Sequence, residues 1–266
     1  MTEEKPAVLV ERRDHVMIIT LNRPEARNAV NKAVHIGVGT ALEEAERDPD
    51  IRAVILTGAG DRAFCAGADL VAVSRGENLR PDDPVQQAWG FAGFVAHPIS
   101  KPVIAAVNGF ALGGGTEISL AADLIVAAET ASFGLPEVKR GIYAGAGGTF
   151  RIVQQLPKKI GMELLLTGEP ITAQRAKELG FVNVVVPLPE LLDAAMALAA
   201  RITVNAPLAV QVSKRIALGI VEGKIPSDAD AWARSAAEGR IIMASEDAKE
   251  GPRAFAEKRA PVWKGR

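Results

Sequence analysis

A single cysteine in 266 residues, Cys65, leaves no intrachain disulfide to form and no CxxC pair to bind a metal or cycle redox. That usage fits a reducing compartment, so a cytoplasmic location is the expectation. Aromatic residues are scarce as well: 5% of the chain, with one tyrosine, offers few platforms for stacking single-stranded bases. Neither sign of charge is in excess. Lys plus Arg number 31 against 32 Asp plus Glu, a net of −1, which argues against a broad nucleic-acid face. The longest uncharged run in the first half, residues 102–116, is too short to span a bilayer and is broken by Asn108 and glycines. The first fourteen residues are acidic and lack the basic, apolar and small-residue order of a signal peptide. Neither a nucleic acid nor a membrane is therefore expected as a partner. The three histidines, His15, His35 and His97, show no metal-ligand spacing and read as surface or packing residues, so no metal site is expected.

What is present is an ordinary globular balance, 48% hydrophobic and 24% charged, long enough to bury a large core without staples. Residues 7–12 and 16–21 read as a β-hairpin. Asn31 is placed to cap a helix over 32–47, where Val34, Val38, Ala41, Leu42 and Ala45 recur at helical spacing. The apolar runs 51–58, 102–107 and 123–128 read as strands buried on both faces. Helices are expected near 115–122, 149–155 and 159–166. Another over 171–180 is capped by Thr172 and stopped by Gly180, and a strand follows at 181–187. Beyond 189 the signal is purely helical, at 190–203, 207–221, 228–244 and 252–259, with Pro252 suited to a first helical position. The polar, proline-rich stretch 74–88 reads as a surface loop or flap. The expected division is an α/β core over 1–190 and an α-helical region over 191–266.

Common catalytic signatures are missing. There is no GxSxG elbow and no GxxxxGK[ST] phosphate loop, and the dinucleotide fingerprint fails at Phe150. Cys65 has no Cys–His setting and reads as a small apolar residue. Two segments stand out instead. RAFCAGADL (62–70) is a small-residue turn after a buried strand. VNGFALGGGTEISLAAD (107–123) places three glycines at the start of a helix, where unpaired amides point outward at the positive end of the dipole. One N–H from each turn can meet a developing oxyanion. Glu117 lies in the first turn of that helix and Glu137 follows in ASFGLPEVKRGI. If they face one pocket, they can hold a water between them and divide acid and base duty.

These segments resemble the enoyl-CoA hydratase/isomerase superfamily, also called the crotonase family. RAFCAGADL is similar to its first oxyanion-hole motif, and NGFALGGGTE to the second with the first catalytic glutamate. FGLPEVKRGIYAGAGGT is similar to the segment carrying the second glutamate. NRPEARNAV (22–30) and EGPRAFAEKRAPVW (250–263) match the entry turn and C-terminal helix, so the likeness runs through the whole chain in order. The resemblance implies an α/β fold, a ClpP-like spiral of ββα turns with a C-terminal helical trimerisation region, in a homotrimer or dimer of trimers. It implies reversible syn addition of water to a 2-enoyl-CoA, with Glu117 and Glu137 handling water and proton. Oxyanion N–H groups would come from Ala66 and Gly114. No separate cofactor is implied, since coenzyme A is part of the substrate.

By the same resemblance, the CoA portion lies along Ala66, Gly67, Ala68, Asp69 and Leu70, near the backbone of Arg27. Gly114 meets the thioester, and Phe255 and Lys258 reach CoA from a neighbouring helix or subunit. Tyr143 stands where many hydratases differ and is expected to enter the acyl pocket. The C-terminal segment is similar to the carnitinyl-CoA (crotonobetainyl-CoA) hydratase branch, and an enoyl-CoA isomerase is a further alternative. A non-catalytic CoA-binding assembly subunit would be expected to lose one of the two glutamates. The neutral total also conceals local basic stretches, a net of +4 over 249–266 and +2 over 11–32, of the size a phosphorylated cofactor needs.

Overall fold

A computed structural model describes residues 5–266. The hairpin forms as expected from β1 (Val8–Arg13) and β2 (Val16–Leu21), followed by α1 (Lys32–Arg47), whose first turn Asn31 caps by accepting the Val34 N–H. Next come β3 (Ala53–Gly58), β4 (Ala63–Cys65), α2 (Leu70–Ser74) and α3 (Pro84–Ala88). The middle of the chain is β5 (Val103–Val107), β6 (Phe110–Leu112), α4 (Gly114–Ala121), β7 (Leu124–Ala128), β8 (Ser132–Gly134), α5 (Gly148–Gln155) and α6 (Lys158–Thr167). β9 (Ile171–Thr172), α7 (Ala173–Glu178) and β10 (Val184–Val186) complete the strand-bearing part. Four helices follow: α8 (Leu191–Thr203), α9 (Pro207–Leu218), α10 (Ala229–Ala244) and α11 (Glu246–Ala256).

The strands sort into two sheets. The larger has the order β1-β2-β3-β5-β7-β10 and is parallel except for the hairpin. The smaller has the order β4-β6-β8-β9. The pairs β3–β4, β5–β6 and β7–β8 each give one long strand to the first sheet and one three-residue strand to the second, and the chain then returns. This is a spiral of ββα turns. The long strands align Ile18, Ile55 and Ile104 across neighbouring positions, and such side chains contribute roughly 1.5–3 kcal/mol each on burial.

The outer face of the large sheet is closed by α8, whose Leu191, Ala195 and Ala199 are buried with Val16, Ile18, Ile55 and Val126. The helical region from 191 therefore shares a core with the sheet. α11 begins earlier than the sequence pattern indicates. Ser245 caps it by accepting the Ala248 N–H, and Pro252 lies inside the helix, correcting its expected place at the first position. The residues after α11 fold back onto it: Glu250, buried, accepts hydrogen bonds from Arg253, Arg259 and the Val262 N–H.

The flap is exposed over most of 75–88 but buries Pro81 and contains α3, and it ends on an anchor. Trp89 is buried and stacks on His97, with ring centroids 5.0 Å apart, and more loosely on His35. His35 Nε2 bonds the Gln86 carbonyl at 2.8 Å, and His97 Nε2 pairs with Glu43 at 2.9 Å. Both histidines are packing residues. No single helix among the described residues is long and apolar enough to cross a membrane.

Candidate active site

The first turn of the site is held in place by two asparagines. Asn28, fully buried at a left-handed φ of 53–55° shared with Arg27, donates to the carbonyls of Ala59 (2.9 Å) and Ala63 (2.8 Å). Asn108 donates to Gly60 O and accepts the Gly58 N–H. They lock the chain between β3 and β4, so that β4 delivers residues 65–70 in one fixed path. Along that path the amides are mostly spoken for. The Ala66 N–H donates to Arg27 O at 3.1 Å, Gly67 N–H to the Cys65 sulfur, and Asp69 N–H to Val30 O at 3.0 Å. The Ala68 N–H has no partner among the described residues.

This corrects the expected donor. Ala66 is exposed and its amide is already engaged by a carbonyl from the entry turn, whereas Ala68, two residues on, keeps a free N–H. Asp69 is structural. It caps α2 by accepting the Ala72 N–H and pairs with Arg23 at 2.8 Å. Leu70 follows as the exposed first residue of α2.

The second turn meets the first directly. Gly113 takes φ +57°, and Gly114 opens α4, where its N–H lacks an intrahelical acceptor. Gly67 abuts Gly114 at a positive φ of +94°, which favours glycine, and a methyl group on Gly115 would fall only 2.1 Å from Cys65 O, so glycine lets these backbones touch. Thr116 Oγ1 donates to Ala111 O at 2.6 Å and accepts the Gly134 N–H at 2.9 Å, tying α4 to β6 and β8. β8 in turn leads into the 3-10 helix 136–140 that carries Glu137.

The two glutamates converge here. Glu117 is buried, and its Oε1 accepts the Gly148 N–H at 2.9 Å, at the N-terminus of α5. Glu137 Oε1 lies 3.0 Å from where a side chain on Gly113 would begin, and its Oε2 is buried without a hydrogen-bond partner. Burial, reinforced by the charge of Glu137, pushes the Glu117 carboxyl up to about 8, against the amides of Gly148 and Ala146 and the charge of Arg151. Burial pushes Glu137 up to about 7, against a hydrogen bond from its own backbone amide. Near neutral pH the pair holds roughly one proton between them, the state in which one partner gives a proton and the other takes one. Cys65, below them, is pushed up to about 12 by burial and stays a neutral thiol.

The GGG turn, the two-glutamate pair and the spiral of ββα turns together carry a family signature, and the comparisons agree. The enoyl-CoA hydratase/isomerase family model matches residues 11–266. The chain belongs to the enoyl-CoA hydratase/isomerase family. It is 43% identical to the enoyl-CoA hydratase EchA19 of Mycobacterium tuberculosis over 99% of this chain and 98% of that one. It is 44% identical to a carnitinyl-CoA dehydratase of Salmonella typhi, covering 94% and 95%. Among solved structures, a carnitinyl-CoA hydratase from Mycobacterium avium superposes with a TM-score of 0.96 at 60% identity, covering 99% of this chain and all of that one.

Within this family frame, the remaining expected residues fall in different places. Arg27 is exposed at the mouth of a cavity of about 400 Å³, which it lines with Pro24, Gly60 and Arg62. Tyr143 is spent elsewhere: its hydroxyl donates to Ser235 O of α10 at 2.6 Å and its ring packs against Gly145 and Gly239. Its polar end therefore anchors a helix. Phe255 is exposed beneath the Arg140 guanidinium, 4.1 Å from its ring centre, and the exposed Lys258 follows at a left-handed φ. The sequence pattern missed Phe91, whose ring covers Gly114, with Cε1 2.3 Å from where a side chain there would begin. It also missed Asn28 and Asn108, although NRPEARNAV and VNG contain them. Among the described residues no cluster of His, Cys, Asp and Glu is suited to a metal.

Proposed function

We propose that this protein catalyses reversible addition of water to the double bond of a 2-enoyl-CoA, giving a 3-hydroxyacyl-CoA. The observation that carries the reading is the buried glutamate pair, both carboxyl groups pushed up by burial, beside the abutting turns whose Ala68 and Gly114 amides have no partner among the described residues. The thioester oxygen takes the two N–H groups. One carboxylate removes a proton from water as its oxygen bonds C3, and the C=C π electrons move onto the thioester as an enolate. The other glutamate, protonated, delivers its proton to C2. The enolate collapses, and the two side chains exchange one proton with solvent to reset. The substrate carries its own CoA, so no further cofactor enters the reaction.

The nucleotide end of CoA lies toward the Arg27 and Arg62 lip, where a few cations suffice for its phosphates. Phe255 and Lys258, both exposed, are left to approach CoA from a neighbouring subunit. A homotrimer or dimer of trimers is supported by the exposed apolar side chains of α9, Leu208, Val212 and Ile216, with Ile241 and Met243 of α10. A cytoplasmic setting completes the reading. The second reading is a carnitine-type acyl group, favoured by the 60% identity to the Mycobacterium avium carnitinyl-CoA hydratase. The test is to follow loss of the conjugated thioester absorbance with crotonyl-CoA, longer enoyl-CoAs and crotonobetainyl-CoA. Turnover confined to the last selects the second reading, and no turnover by folded, CoA-binding protein refutes both.

A further inference from the structure

Arg151 has no place in the mechanism so far, yet it is the most enclosed guanidinium near the site, 8% exposed. It sits on the first turn of α5, the helix whose Gly148 N–H grips Glu117, and helical side chains lean back toward the N-terminus. Its Nη1 accordingly lies 3.1 Å from where a side chain on Gly147 would begin, tucked under the glycine-rich loop. Nη1 donates to Val95 O at 2.8 Å, in the segment that follows Trp89, and Nη2 faces Asp228 at 3.4 Å. Its flat faces lie near Phe150 and Trp232, the latter on α10. Three separate parts of the chain therefore converge on one buried cation, and its only ion-pair partner among the described residues, Asp228, meets it through a long 3.4 Å hydrogen bond.

We propose that Arg151 is a positioning residue of the hydration site, its buried charge acting on Glu117 across the glycine-rich loop that grips that carboxyl group. The inference rests on the hydratase reading for its purpose, though not for its measurement. The titratable and charged groups facing Glu117 are Glu137 from the 136–140 helix, Cys65 from β4 and Arg151 from α5, with the Ala146 and Gly148 amides. Of these, Arg151 alone is a cation. Burial and Glu137 drive Glu117 toward its neutral form, and Arg151 opposes them, keeping the two carboxyl groups close enough in proton affinity to trade one proton. Asp228, at the start of α10, tempers that cation. The C-terminal helical region thereby sets part of the site's electrostatics.

Two charge-removing substitutions then act in opposite directions. Arg151→Met should raise the Glu117 titration midpoint by about one pH unit. Asp228→Asn, which frees the cation, should lower it, and Arg151→Lys should leave it within a few tenths. The readout is the infrared carboxyl band that disappears in Glu117→Gln, followed against pH in the full-length protein. It is paired with the pH profile of kcat on crotonyl-CoA, where the same displacements are expected. Midpoints that coincide in folded variants, or that move in the same direction, overturn the proposal even if melting temperatures fall. Should Arg151→Met not fold, Asp228→Asn decides alone: a downward shift supports the role, and no shift or an upward one refutes it. If the wild-type protein hydrates nothing while the band still shifts as stated, the hydratase reading fails and the charge coupling stands.

Discussion

Replacing Glu117 with glutamine removes the ionisable group while keeping an oxygen to accept the Gly148 N–H, now 2.9 Å from Glu117 Oε1. The packing is unchanged, so the variant isolates the cost of ionising this side chain. In the unfolded chain a glutamate titrates near its ordinary value of 4.5, and in the fold burial raises Glu117 to about 8. A group whose folded value is raised holds its full stability below the unfolded value and loses it as pH climbs through the folded one. Relative to Glu117→Gln, the wild type should therefore lose about 1 kcal/mol by pH 5, about 3 kcal/mol by pH 7, and level off at about 5 kcal/mol above pH 8. The variant becomes the more stable protein at pH 9 relative to its standing at pH 5, while hydration falls by roughly 100–10,000-fold. Urea unfolding of both proteins at pH 5, 7 and 9 measures the gap. A gap constant across that range would refute the burial argument, and with it the shared proton. Coincident activity loss and stability gain would mark Glu117 as a residue kept at the expense of the fold.

Ala68→Pro deletes the free amide of the first turn and should lower kcat by roughly 100–1000-fold with the protein still folded by circular dichroism. Near-normal turnover would hand the donor role back to Ala66. Asn28→Ala strips the Ala59 carbonyl and the Arg23 N–H of their partner, leaves Ala63 O only the Asn108 amide, and puts alanine at a left-handed φ, so urea unfolding should show a loss of about 2–4 kcal/mol. Phe91→Ala uncovers Gly114, and the ratio of kcat/KM for decenoyl-CoA over crotonyl-CoA should rise several-fold; an unchanged ratio would place the acyl chain elsewhere.

Much of this architecture can be read before folding, for identifiable reasons. The long strands announce themselves because β3, β5 and β7 are buried on both faces, and continuous apolar runs have few other uses. α1 shows its cap and its apolar stripe together. The second sheet stayed hidden because three residues, as in Ala63–Cys65, carry no period to detect. α11 starts where Ser245 is followed by Glu246 and Asp247, a stronger start signal than Pro252, which the helix accommodates in its interior. At the site, residue types and family motifs found both glutamates and both turns. The choice between Ala66 and Ala68 was not legible, since it depends on a carbonyl of Arg27 that only the tertiary path brings near. Arg151 looks like any arginine on an amphipathic helix until Asp228 and Trp232 close over it.

The lone thiol of Cys65 gives the molecule a clock. It is fully buried, its sulfur accepts the Gly67 N–H, and its carbonyl lies against Gly115, so it belongs to the floor beneath both turns. No reagent reaches it, and no thiolate forms near neutral pH, unless that floor parts. The rate at which a thiol reagent consumes the native protein therefore counts openings of the catalytic floor one molecule at a time, free of any second cysteine to blur the signal. An acyl-CoA seated across the turns should slow that clock, which makes occupancy of the site measurable even for a substrate that is never turned over.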